Sequence, residues 1–217
     1  MRLAIKPRIN RLIDNIFQEA NATATRLAQI RHPERRHPEH ENYFETNCPG
    51  SAGHDFTDPA SLLRHIETVS HLVPLTGEES VVSLGSGLGM DSFVFALIFC
   101  SVTGFEVDQE VITEARRIQA LFGLTNINFI KRNFLEPKVD LSPYDLVYFY
   151  KPLEYDFEKK IGELVQSAKP GAIVISRAFP HRALHRQKKF KVIYPFDWDP
   201  TCRFMASDYY TAVRLKD

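Results

Sequence analysis

An apolar run, Val81-Val82-Ser83-Leu84, breaks at Gly85-Ser86-Gly87-Leu88-Gly89, and three glycines in alternate positions after such a run suit few folds. A second apolar run closes on Gly104-Phe105-Glu106-Val107-Asp108. Strand, tight turn, helix, strand, acid is the order of a nucleotide-binding βαβ unit in an open parallel sheet. Glycines let the backbone come close to a ligand. The helix that follows offers its N–H groups and the positive end of its dipole. Glu106 is placed to accept two hydrogen bonds from a ribose diol. A dinucleotide fingerprint, G-x-G-x-x-G, requires glycine at position 90, where this chain has Met90.

The flanking sequence continues the alternation. Strands are expected near 80–85, 101–107, 127–133, 144–150 and 172–178, with a closing pair near 190–195 and 209–215. Between them, Val111, Ala115, Ile118 and Phe122 form one helical face that ends at Gly123, and Phe157, Ile161, Leu164, Val165 and Ala168 form another. Upstream, Ile9, Leu12, Ile13, Ile16, Phe17, Ala20 and Leu27 recur at helical spacing over 9–30. A polar, proline-containing linker over about 31–41 follows. A further helix starts at Asp58-Pro59, a capping residue before proline at the first helical position. The expected organisation is an N-terminal helical extension, 1–77, and a cofactor-binding core, 78–217.

The G-x-G-x-G spacing, the acid closing the second strand, and the turn Lys169-Pro170-Gly171 before Ala172-Ile173-Val174-Ile175 together resemble the core of class I S-adenosylmethionine-dependent methyltransferases. The resemblance implies an α/β fold: a Rossmann-like, doubly wound, mostly parallel seven-stranded sheet carrying the N-terminal extension. It also implies S-adenosyl-L-methionine as cofactor. Gly85, Ser86 and Gly87 would lie against its methionine part and ribose, Glu106 would hold the ribose hydroxyls, and Val107 would line the same site. Asn133 would meet the adenine amino group, with Phe134 or Leu135 on the ring face. Tyr150, Lys151 and Pro152, after the fourth strand, fall on the acceptor side, and Tyr150 and His54 are the candidate catalytic groups, His54 from a segment able to close over the cofactor.

Two departures from the family pattern stand out. Ser83 occupies a place where the family often has Asp or Glu. Tyr150-Lys151-Pro152 is not the Asn/Asp-Pro-Pro-Tyr/Phe form of some amino methyltransferases, which disfavours base N-methylation.

Formal net charge is zero, so no whole-protein field draws the chain to nucleic acid or membrane. Local patches exist. Residues 1–40 hold eight Lys/Arg against four acids, and Arg182, Arg186, Lys188, Lys189 and Lys191 have no acid among them. RNA or protein could meet these patches, but a small-molecule methyl acceptor, unidentified, is the favoured partner. Three scattered cysteines, Cys48, Cys100 and Cys202, fit a reducing compartment. Met1-Arg2-Leu3-Ala4-Ile5-Lys6-Pro7 lacks the apolar stretch of a signal peptide, and Phe93 to Cys100 is too short an apolar run to span a bilayer. A cytoplasmic protein with no membrane partner is expected. No metal is expected either, because His32, His37 and His40 sit among Pro, Arg and Glu with no scaffold to fix a coordination geometry. Two other readings share the βαβ unit: an NAD-binding oxidoreductase, and a non-catalytic Rossmann-like binding module.

Overall fold

In this computed structural model residues 7–31, 59–136, 139–150, 157–177, 188–194 and 209–215 are described. Seven strands make one sheet: β1 (Ser80–Leu84), β2 (Ser101–Glu106), β3 (Ile127–Lys131), β4 (Leu146–Tyr150), β5 (Ile173–Arg177), β6 (Phe190–Tyr194) and β7 (Tyr209–Arg214). Their order is β3-β2-β1-β4-β5-β7-β6. The first five pair in parallel, and β7 runs antiparallel to both β5 and β6. The expected doubly wound sheet with a closing antiparallel pair is the observed one.

The last four residues of β1, β4 and β5 are buried, except for the residue ending β4 and β5, which is half-buried. Parallel strands covered on both faces read as unbroken apolar runs, and Leu146-Val147-Tyr148-Phe149 and Ile173-Val174-Ile175 are such runs. Asp145 fastens the amino ends. Its Oδ2 accepts the Ser80 N–H at 3.0 Å and the Ser80 hydroxyl at 2.7 Å, and its Oδ1 meets Lys169 Nζ at 2.5 Å.

One face of the sheet carries α1 (Pro7–Arg31), α2 (Pro59–Ser70), α3 (Met90–Ala96) and α4 (Gln109–Leu121). Their apolar stripes share one core: Ile13, Ile16 and Ala20 from α1 and Leu62 and Ile66 from α2 join Phe93, Val102, Ile112 and Phe129. Burying each such isoleucine or leucine is worth roughly 1.5–3 kcal/mol, so the N-terminal helices are a large part of that face. Arg117 of α4 adds polar ties to α1, donating to Glu19 Oε1 at 2.6 Å and to the Thr23 hydroxyl at 2.8 Å. The opposite face holds α5 (Phe157–Leu164) and a 3₁₀ turn, Val165–Ser167, packed through Ile161 and Val165 on Val82, Val147 and Val174.

Candidate active site

The strand order reverses between β1 and β4, and in open α/β sheets ligands bind at such a switch point, beyond the carboxyl ends of the strands. The glycine loop leaves β1 at this edge. Gly85, Gly87 and Gly89 have φ of 74°, 52° and 89°, in the left-handed region that disfavours a side chain. At Gly89 space is also lacking, since a Cβ would stand 2.5 Å from Phe129 Cζ and 2.9 Å from Phe93 Cζ. The loop therefore folds back onto the core before α3 begins. Its backbone is tied to β2: the N–H groups of Gly85 and Ser86 both donate to the Phe105 carbonyl at 2.9 Å.

Glu106 ends β2 and points at the same loop. Its Oε2 accepts the Gly87 N–H at 2.9 Å, while Oε1 accepts those of Val107 at 2.7 Å and Asp108 at 3.0 Å. It clamps the glycine loop to the end of β2, and Oε2, with one donor, keeps acceptor capacity for another. Asp108 is the expected cap, its Oδ1 accepting the N–H groups of Glu110 and Val111 at the start of α4.

Behind the loop, close packing replaces polar ties. Leu88 is buried with Ala24 and Leu27 of α1 and Val111 of α4, so the N-terminal helix plugs the underside of the loop. Gly104 in β2 is required for the same approach, because a Cβ there would sit 2.7 Å from both Ser86 Oγ and Phe129 Cδ1. Ser83 and Ser86 bury their hydroxyls with no hydrogen-bond partner among the described residues.

Of the remaining residues expected from sequence, those described lie around this edge. Val107 is 40% exposed beside Glu106. Asn133 is exposed just past β3, and its Oδ1 accepts the Leu135 N–H at 3.0 Å, which turns the chain so that Phe134 is buried. The Phe134 ring lies 3.5 Å from where a Gly85 Cβ would be, so it packs beneath the first glycine. Tyr150 ends β4 across the switch point from the loop. His54, Lys151 and Pro152 lie outside the described residues, as do His32, His37, His40, Arg182 and Arg186. Lys188, Lys189 and Lys191 are exposed at and before the start of β6.

Two groups at this edge escape a reading of the sequence alone. Arg177 ends β5 beside Tyr150 and opposite Tyr209 in the register, with its guanidinium carbon 5.0 Å from the Tyr150 ring centroid and 5.9 Å from that of Tyr209. Burial works against its charge, but the phenols of Tyr209, Tyr148 and Tyr150 and the Asp91 carboxylate together hold its pKa above the ordinary arginine value. His65, on the buried face of α2, stacks on Tyr209 with centroids 4.7 Å apart and shares a 2.7 Å hydrogen bond with the Thr211 hydroxyl. Burial pushes its pKa down to about 4, so the ring is neutral at physiological pH. The signal for Arg177 was present in sequence: a cation ending the otherwise apolar run Ile173-Val174-Ile175-Ser176.

Sheet order, switch-point glycine loop and acid closing β2 are the arrangement of the Rossmann-like fold of class I S-adenosylmethionine-dependent methyltransferases. The chain belongs to a family described as a methyltransferase domain, matched over residues 75–202. Solved structures share the fold. An RNA methyltransferase from Salinibacter ruber in complex with S-adenosyl-L-homocysteine is 16% identical with a TM-score of 0.53, covering 71% of this chain and 92% of that one. Magnesium protoporphyrin IX methyltransferase from Synechocystis with bound cofactor is 18% identical with a TM-score of 0.52, covering 72% and 77%. A putative methylase from Haemophilus influenzae is 14% identical with a TM-score of 0.55, covering 70% and 98%. Matches to two other structures cover 52% of this chain, and span half of the YcgJ protein of Bacillus subtilis and 43% of the [4+2]-cyclase SpnF. No curated protein matches the sequence. None of the described helices is long and apolar enough to cross a membrane.

Proposed function

We propose that this chain transfers a methyl group from S-adenosyl-L-methionine to a small-molecule acceptor. The observation that carries the reading is the Glu106 carboxylate bound to the Gly87 N–H, which fixes the glycine loop and the end of β2 as one surface at the switch point. The residues fit the cofactor: Glu106 Oε2 retains acceptor capacity for a ribose hydroxyl, and Gly85, Ser86 and Gly87 let the backbone approach its methionine end. Val107, Asn133 and Phe134 are assigned to the adenine side, and Tyr150, Lys151 and Pro152 to the acceptor side.

The bound cofactor supplies a methyl group already activated by positive sulfur. What remains for the chain is to orient the acceptor in line with that group and to keep water away. Tyr150, which ends β4 across the switch point from the loop, is assigned to the path by which the acceptor approaches. Where the acceptor carries a proton, Tyr150 and His54 are the groups assigned to receive it. Residues 1–77 are read as an extension that braces the loop from below, with 78–217 as the catalytic core.

Calorimetric titration tests the cofactor half of this reading. S-adenosylhomocysteine should bind with micromolar or tighter affinity and NAD should show none, since Met90 stands where a dinucleotide site has glycine. Tighter binding of NAD would transfer the site to the oxidoreductase reading.

A further inference from the structure

We infer that Arg177, held between Tyr150 and Tyr209, is the residue that recognises the methyl acceptor, and that the acceptor carries a single carboxylate. This rests on the proposed methyltransferase reading and names the chemistry of its acceptor.

The register brings the three side chains together. Tyr150, Arg177 and Tyr209 are direct neighbours across β4, β5 and β7, so they form one row on one face of the sheet at the edge where β4 and β5 end. Counting from β2, this row begins on the far side of the switch point. Glu106 and Arg177 end strands three places apart in the sheet order, about 14 Å at the usual strand spacing. The acid ending β2 and the guanidinium ending β5 therefore stand on opposite sides of the switch point, where the cofactor would lie.

Arg177 is poised for an anion. Its Nη1 is buried with no hydrogen-bond acceptor among the described residues, and two tyrosine rings lie beside the guanidinium. A buried guanidinium N–H left without an acceptor is unfavourable by more than most polar groups, and a carboxylate meets it with two parallel hydrogen bonds. The tyrosine rings attract the guanidinium through their faces and leave its N–H hydrogen-bonding requirement unmet. His65, stacked on Tyr209 and bonded to Thr211, fixes the outer ring of the row from behind.

Charge balance favours a carboxylate over a phosphate. Among the described residues Arg177 is the cation of this row, and Asp91 at the start of α3 is near enough to act on it electrostatically. A singly charged ligand is matched by one guanidinium. A phosphate dianion would bring a second negative charge into a half-buried site that already feels the Asp91 carboxylate.

Benzoate is the probe, because it offers one carboxylate on a flat ring that fits beside tyrosine. The wild-type protein is first saturated with S-adenosylhomocysteine in a calorimeter, then titrated with benzoate, benzamide and phenyl phosphate. Benzoate should bind in the millimolar range, at least about tenfold more tightly than its neutral isostere benzamide. Arg177→Met keeps the apolar stem and should lose benzoate binding, while Arg177→Lys, with charge but no planar fork, should recover part of it. Both variants should bind S-adenosylhomocysteine as the wild type does, which also reports that they are folded. Equal binding of benzoate and benzamide, or none of either, overturns the proposal. So does tighter binding of phenyl phosphate, which would assign the arginine to phosphate. Loss of S-adenosylhomocysteine binding in Arg177→Met would overturn it too, by giving the arginine to the carboxylate of the cofactor. Failure of the wild type to bind S-adenosylhomocysteine strikes the methyltransferase reading instead, and is seen before benzoate is added.

Discussion

The glycine loop and the Tyr150–Arg177–Tyr209 row stand on either side of one switch point and are held in opposite ways. Backbone hydrogen bonds to Phe105 and Glu106 secure the loop from above, and the Leu88 side chain anchors it among α1 and α4. The row is secured by rings around a cation whose Nη1 has no acceptor among the described residues. A surface built the first way is rigid before any ligand arrives. One built the second way leaves an interaction for the ligand to complete. The difference teaches that cofactor affinity and acceptor affinity should be separable by mutation in this chain.

The largest effect is expected on the loop side. Gly89→Val combines a positive φ with a Cβ thrust into the Phe129 and Phe93 rings, and strain plus overpacking should destabilise the fold by roughly 4 kcal/mol in urea denaturation. A loss under about 1 kcal/mol would mean that the loop is not seated on those rings.

On the row side the matching test is pH. With a folded pKa of about 4 against 6.5 unfolded, His65 lets the unfolded chain bind more protons between those values. Stability is therefore complete above 6.5 and is lost as pH falls toward 4, by about 3 kcal/mol in all. Denaturation midpoints of wild type and His65→Gln should diverge in pH dependence across that window and run parallel above it. Parallel curves throughout would leave His65 without this role.

Glu106→Gln sharpens the contrast between the two sides. Replacing a charged acceptor by an amide should weaken S-adenosylhomocysteine binding about ten- to hundredfold. Because Glu106 also accepts the Gly87, Val107 and Asp108 N–H groups, the ligand-free protein should melt earlier as well. A variant that binds normally but melts early would make Glu106 a loop fastener and nothing more. The smallest effect belongs to Arg117→Met. Its ion pairs with Glu19 and Glu114 are well exposed, so the loss should stay below about 1 kcal/mol and shrink further in salt.

Much of this molecule was legible in the sequence because parallel strands and helical faces leave local patterns. The seven strands, the Asp108 cap and the turn at Gly123 all follow from neighbours a few residues apart. What was not legible depends on register between distant segments. Nothing near Arg177 says that Tyr209 will lie opposite it, since that pairing is set by β7 entering between β5 and β6. Likewise the stripe on α1 announced that the helix would pack, but not that Leu27 would meet Leu88 under the glycine loop. The Glu106 clamp was half visible: the acid was evident, its grip on Gly87 was not.

The placement of β7 also bears on how the chain reaches this state. β5 is synthesised before β6, yet the strand that covers its free edge is β7, made later still. Until β7 arrives, β5 presents an unpaired row of N–H and C=O groups along an apolar strand, the kind of edge that recruits another chain. Nascent or partly unfolded molecules should accordingly associate through β5. Arg177, a charge at the end of that edge, then has a second use as a gatekeeper against edge-to-edge pairing.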